Sequence, residues 1–343
     1  MNYLIPFLIL ITIVVFIHEY GHYYFARKFG VGVTDFSIGF GKEIFGWNDK
    51  SGTRWKFCLI PLGGYVKFFG DRNVFSQAEQ EEVIKKYSES DQKKLFILKP
   101  LYQRAIIVAA GPLANYLLAI LIFTFIFMYN GKDITPSIIT KVQERSPAYE
   151  AGLKANDKIY SINNKKIESI FEISTIIASS TKNTIEITVI RNSNKINFLV
   201  TPKTIKDKDA LGNNVNKKII GIQLSPANNE FEKRKLGITK SFIYSLKEIW
   251  FVSITSLKYL GSMIMGNADV SQLGGPIKIA KITGQVAQHG LIAFLSIMAY
   301  ISISLGFINL FPIPMLDGGH LMFYAFEKIL GRPLTQRTQE GFF

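Results

Sequence analysis

His18-Glu19-Tyr20-Gly21-His22 closes an apolar run that begins at Tyr3 and meets no charge before Glu19. Residues four apart on a helix share a face, so His18 and His22 can grip one metal ion. Glu19, one step round, can then reach a water held by that ion. The same five residues could arise by chance at a water-exposed helix end. The surrounding run argues otherwise: a carboxylate and two imidazoles in a membrane-length segment are costly to keep there and mark a functional site.

The run, residues 3–26, is long enough to cross a bilayer. No Lys or Arg precedes it and no small-x-small cleavage site follows it, so a retained span is expected rather than a cleaved signal. Arg27 and Lys28 follow it directly, which puts the N-terminus outside and the metal pattern toward the cytoplasmic side. His18 lies about 21 Å from Leu4 at 1.5 Å per residue, inside a hydrocarbon core about 30 Å thick.

Composition agrees with a membrane protein. The 343 residues are 48% hydrophobic, with the apolar residues gathered into long uncharged runs. The net charge of +14 suits a face against anionic lipid better than nucleic acid, given those runs. Cys58 stands alone, which excludes an intrachain disulfide and a cysteine metal cluster. Zinc here needs His and carboxylate ligands, and the histidines are His18, His22, His289 and His320.

The expected fold is a polytopic α-helical membrane protein with a membrane-associated β-hairpin segment and an inserted α+β domain. Residues 1–130 form a first membrane part. Within it, residues 31–70 alternate as a hairpin, with a turn at Trp47 to Gly52. Gly63 and Gly64, in Pro61-Leu62-Gly63-Gly64-Tyr65-Val66-Lys67, suggest a bulge or a close backbone approach. That edge is either an ordinary hairpin or a strand that pairs with an unwound substrate. Residues 71–100 are charged and read as a cytoplasmic loop with a short helix, and residues 105–129 as a second span. Residues 134–205 read as a small α+β module outside the cytoplasm. Residues 206–289 read as a Lys- and Asn-rich linker followed by interfacial amphipathic helices. Residues 290–343 hold a third span, ended by Pro312 and Pro314, then an Asp317-Gly318-Gly319-His320 motif and a tail.

Three crossings return Asp317 to the level derived for His18. The prolines and glycines around it allow a bend that aims its carboxylate at the histidine pair, making it the third ligand. Its alternative is a turn aspartate, and His320 is the rival ligand. Glu19 then acts as general base in attack on a peptide carbonyl. Asn115 and Asn309 are candidate donors to the developing oxyanion, or packing hydrogen bonds.

With these residues in place, the chain resembles the site-2 protease family of intramembrane zinc metalloproteases, peptidase family M50, in its bacterial regulator-of-sigma-E protease form. His18 to His22 matches the zinc motif. Gly39-Phe40-Gly41 and Pro61 to Lys67 match the β segment, and Gly111 to Asn115 the GxxxN motif. Asn309-Leu310-Phe311-Pro312 with Leu316 to His320 matches the third core helix.

The resemblance implies a zinc metalloendopeptidase of the bacterial inner membrane with Asp317, not His320, as third ligand. Its active site would lie near the cytoplasmic side. Its substrates would be single-span membrane proteins already cut by an upstream site-1-type protease, such as anti-sigma factors, and also remnant signal peptides. Residues 134–205 are similar to a PDZ domain that admits substrates by size or by a new C-terminus. Asn156 stands where such modules carry Gly, in a backbone conformation that Asn tolerates. Relatives continue past Gln336–Phe343 into a fourth span, which the 343 residues do not include.

Two other readings are weaker. A non-catalytic scaffold that binds peptide tails through the PDZ-like module would typically lack Glu19. A metal transporter would need several polar groups along its spans.

Overall fold

The computed structural model describes residues 3–70, 87–178, 180, 183–208, 214–266 and 274–332. The chain divides into two compact units, Met1–Ile122 with Thr283–Phe343 and, separately, Phe123–Ile282.

The first unit begins with helix α1, Leu4–Lys28, whose last turn carries Arg27 and Lys28. Cations there complement the carbonyl end of the helix. Strands β1, Val33–Asn48, and β2, Arg54–Phe68, form the expected hairpin. Asp49 closes its turn by accepting from the backbone N–H groups of Ser51 and Thr53 and from the indole of Trp55. Both strands bend, so the first half of β1 is paired along both edges: Phe36 lies opposite Val66 on one side and Trp55 on the other. Residues 64–68 therefore form an outer edge of the sheet. Residues 71–86, half of the expected loop, lie outside the described residues; the short helix Glu89–Gln92 follows them.

Helix α2, Leu101–Tyr129, carries Pro112 within it and has no acidic residue in its first turn. Its uncharged stretch forms the expected second span.

The second unit holds the α+β module. Its strands are β3 (Ser137–Val142) and β4 (Lys158–Ile162), followed after helix α3 (Ile170–Ala178) by β5 (Ile185–Arg191), β6 (Asn194–Val200) and β7 (Ile222–Pro226). They pair in the order β7-β3-β4-β5-β6. Ile139, Ile159, Ile162, Ile173, Ile187 and Val189 build the core beneath α3. Asp157 is wholly buried, and Arg191 grips it with two hydrogen bonds of 2.7 Å. The neighbouring Asn156 has φ +71, the left-handed conformation expected of it.

The Lys- and Asn-rich stretch after residue 206, expected as a linker, contains paired strands. Lys203–Lys208 pairs with Asn214–Ile219, and β7 joins the module's sheet beside β3. Lys and Asn have weak strand propensity, but ladder hydrogen bonds are made by backbone and override it. Helix α4, Ile238–Ile264, follows as one continuous element with Ser241, Ser245 and Ile249 on its buried face. Tyr244 and Phe251 of α4 receive the ammonium groups of Lys132 and Lys165 over their rings, at 4.2 and 3.7 Å.

Helix α5, Pro276–Ala287, starts on its proline, whose missing N–H costs nothing at that position. The first unit is completed by α6, Leu291–Asn309, and α7, Asp317–Leu330. Helices α1, α2 and α6 are long and apolar enough to cross a membrane, as the three expected spans require.

Candidate metal centre

Two imidazoles from one end of the chain meet a carboxylate from the other. His18 and His22 lie one turn apart on the buried face of α1, 8% and 9% exposed. Their Nε2 atoms are 3.3 Å apart. Asp317 Oδ2 lies 3.2 Å from His18 Nε2 and 3.5 Å from His22 Nε2. Among the described residues, these three form the group of close metal-ligand atoms, and neither His289 nor His320 belongs to it.

The spacing tests the fit of a metal. A tetrahedral zinc with bonds of about 2.0–2.2 Å keeps its ligand atoms about 3.3 Å apart. All three separations fall close to that edge length. Two imidazole nitrogens and one carboxylate oxygen also make a donor set that zinc accepts while keeping a fourth position for water.

Glycines let the elements converge. A Cβ on Gly21 would overlap the Ala110 carbonyl, and one on Gly111 would overlap the imidazole of His22. Helices α1 and α2 therefore cross backbone to backbone at the site. His22 Nδ1 sits 2.9 Å from the Ile107 carbonyl oxygen. Only an N–H can bond a carbonyl, so Nδ1 donates and Nε2 keeps its lone pair toward His18 and Asp317.

Asp317 opens α7 after a tight reversal in which Met315 has φ +75. Gly318 and Gly319 back directly onto the carbonyls of Leu310, Phe311 and Ile313, leaving no room for a side chain. The far end of α7 is tethered. Arg104 Nη2 donates to Glu327 Oε1 at 2.5 Å, with both side chains mostly buried, and the guanidinium lies 5.0 Å from the Tyr324 ring centre. Asp317 is thus the first residue of a helix tethered at its far end, rather than part of an isolated turn.

Glu19 faces the hairpin. The backbone N–H of Val66 lies beside its carboxylate. A Cβ on Gly64 would press within 3.2 Å of Glu19 Cγ, so that glycine brings β2 up against α1. Gly63 instead packs under the Phe40 ring. Asn309 Nδ2 lies 3.5 Å from His18 Nε2, and Asn115 Nδ2 lies 3.3 Å from His18 Nδ1. The structure therefore gathers His18, Glu19, His22, Asn115, Asn309, Asp317 and Gly64 in one place, with Gly63 at its margin. The Ile107 carbonyl and Val66 N–H could not be read from residue type, because backbone groups carry no such label.

Gly111→Ala is expected to push the His22 ring aside and weaken zinc retention about 10–100-fold, the scale of an overpacking strain of 1–3 kcal/mol. Zinc content after challenge with a chelator series measures it. Gly261→Ala, where a Cβ meets open space, should leave retention unchanged.

Comparison with known proteins places these features in a wider set. A family model described as Peptidase family M50 matches residues 6–343. A Rickettsia conorii protein named "Putative zinc metalloprotease" is 41% identical over 337 residues, covering 98% of this chain and 91% of its own length. A Mesorhizobium japonicum protein of like name is 37% identical over 345 residues, covering 98% and 92%. "Metalloprotease MmpA" of Caulobacter vibrioides is 34% identical over 361 residues, covering 99% and 90%. A solved PDZ domain of an SdrC-like protein from Listeria monocytogenes covers 26% of this chain and 85% of its own, at 24% identity and TM-score 0.21. A score that low adds nothing to the strand order already described.

Proposed function

The chain belongs to peptidase family M50, and from that premise we propose the roles of its site residues, its substrates and its orientation. It is an intramembrane zinc metalloprotease, a multi-pass protein by its three apolar helices. His18, His22 and Asp317 hold the zinc. The observation that carries this assignment is the triangle of 3.3, 3.2 and 3.5 Å, which matches a tetrahedral edge. When bound there, zinc polarises the scissile carbonyl and makes the attacking water more acidic.

Glu19 accepts the proton of that water and delivers it to the departing amide nitrogen. Its carboxylate sits half-buried beside the Val66 backbone N–H, against the hairpin. Asn309, beside His18, donates to the oxyanion as it forms. A helical substrate hides its carbonyls in its own hydrogen bonds, so it must unwind before attack. The outer edge at residues 64–68, next to Glu19, suits pairing with such an unwound strand.

The substrates are peptides within single-span membrane proteins already trimmed by an upstream site-1-type protease, anti-sigma factors and remnant signal peptides being examples. The α+β module, PDZ-like in its expected role, screens them. Arg27 and Lys28 after the first span support a site near the cytoplasmic face of a bacterial inner membrane and a module on the opposite side.

The test uses the full chain in bilayers with a membrane-anchored reporter, offered with a long or a trimmed outer domain. Chelation should abolish cleavage and zinc should restore it, with the trimmed reporter cut faster. Cleavage that survives complete removal of zinc would overturn the reading.

A further inference from the structure

Both histidines of the zinc pattern have a second ring nitrogen, and helix α2 meets both. His22 Nδ1 donates to the Ile107 carbonyl. His18 Nδ1 faces the side-chain amide of Asn115, eight residues further along α2. The helices run antiparallel here, so residue 18 meets residue 115 as residue 22 meets residue 107.

The two contacts differ in kind. A carbonyl leaves His22 no choice of tautomer, whereas an amide can offer either end. With Nδ2 toward the ring, His18 Nδ1 must accept, and a neutral ring then carries its proton on Nε2. That is the atom 3.2 Å from Asp317 and 3.3 Å from His22 Nε2, where a ligand needs a bare lone pair. The same orientation leaves Asn115 Oδ1 buried without a hydrogen bond among the described residues, on a side chain that is 0% exposed. An orphaned buried acceptor is costly. A half-turn of the amide frees Nε2: Oδ1 accepts from His18 Nδ1–H, and Nδ2 takes the place that Oδ1 leaves. The amide's oxygen and nitrogen are nearly equal in size, so nothing else need move.

We propose that Asn115 is a positioning residue that fixes the metal-binding tautomer and the ring plane of His18, as the Ile107 carbonyl does for His22. This rests on the zinc reading of the site. It also moves Asn115 away from the oxyanion role considered from sequence: its amide is spent on the side of His18 turned away from Asp317. Its own backbone is held in turn, since Ser302 of α6 donates to the Asn115 carbonyl at 2.8 Å. Asn115 therefore joins α1, α2 and α6 behind the site, to His18 through its side chain and to Ser302 through its backbone.

The experiment measures zinc affinity by chelator competition and the visible absorption of the cobalt-loaded protein, for the parent, Asn115→Leu and Asn115→Asp. Leucine fills the space without an acceptor and should weaken zinc about 10–100-fold, the usual cost of losing an outer partner of a metal-bound histidine. It should also change the cobalt spectrum. Aspartate restores an acceptor and should hold zinc at least as tightly as the parent, with a parent-like spectrum. Where the leucine variant fails to fold, the aspartate variant decides: a tenfold or greater loss of zinc overturns the proposal. A leucine variant with parent affinity and spectrum overturns it too, and slower cleavage in that protein would return Asn115 to the oxyanion. A parent chain that holds no zinc sinks the reading of the site itself, and that is seen before any variant is made.

Discussion

Glu19→Gln is expected to bind zinc as the parent does and to cut a membrane-anchored reporter about 10²–10⁴ times more slowly, the usual contribution of a positioned general base. The substitution is nearly isosteric. Its amide oxygen can face the Val66 N–H as the carboxylate does, so the side chain should stay where the carboxylate was. Glu19 is not one of the three clustered ligand residues, so metal binding has no reason to change. What is lost is the capacity to take a proton from the attacking water. Metal content and single-turnover cleavage, measured on the same preparation, separate the two effects. A zinc-loaded Gln variant that cuts at the parent rate would remove Glu19 from the chemistry. The parent rate itself separates the protease from a peptide-binding scaffold, which would not cut at all.

Much of this arrangement was legible in the sequence, for reasons that differ by element. The spans could be read because an uncharged apolar run of about twenty residues matches the thickness of a bilayer and exceeds what a buried core helix usually needs. His18 and His22 could be read because a helix makes residues four apart neighbours without help from the rest of the fold. Asp317 needed more: a count of crossings and a cluster of prolines and glycines. The structure adds the reason it points toward the two histidines, since Gly318 and Gly319 pack against the carbonyls of Leu310, Phe311 and Ile313. Asn156 was readable as a left-handed residue only through the resemblance, which sets Gly at that position, and Asn tolerates that backbone.

Other features were hidden because their partners are distant or unlabelled. Nothing local marks Arg104 as the partner of Glu327. Gly21 looks like filler within the zinc pattern until the Ala110 carbonyl is seen beside it. The hairpin of Lys203–Lys208 with Asn214–Ile219 was masked by side chains that disfavour strands, although pairing depends on the backbone alone.

Asp317→Ala should reduce zinc affinity by well over the 10–100-fold that an outer partner is worth, and should abolish cleavage. The carboxylate is the one anion among the three clustered side chains, and its Oδ2 lies within 3.5 Å of both imidazoles. Without it, two neutral nitrogens on one helix must hold a doubly charged ion, and two protein ligands fall short of the three that catalytic zinc usually keeps. The surrounding structure should survive. The Ile107 bond to His22 and the Arg104–Glu327 tether do not pass through Asp317, so helix content should match the parent. His320→Ala is the matched control, being on the same helix and outside the cluster, and should retain zinc. If the Asp317 variant kept the metal while the His320 variant lost it, the third ligand would move one turn along α7. The mechanism would then have to be rebuilt around three imidazoles.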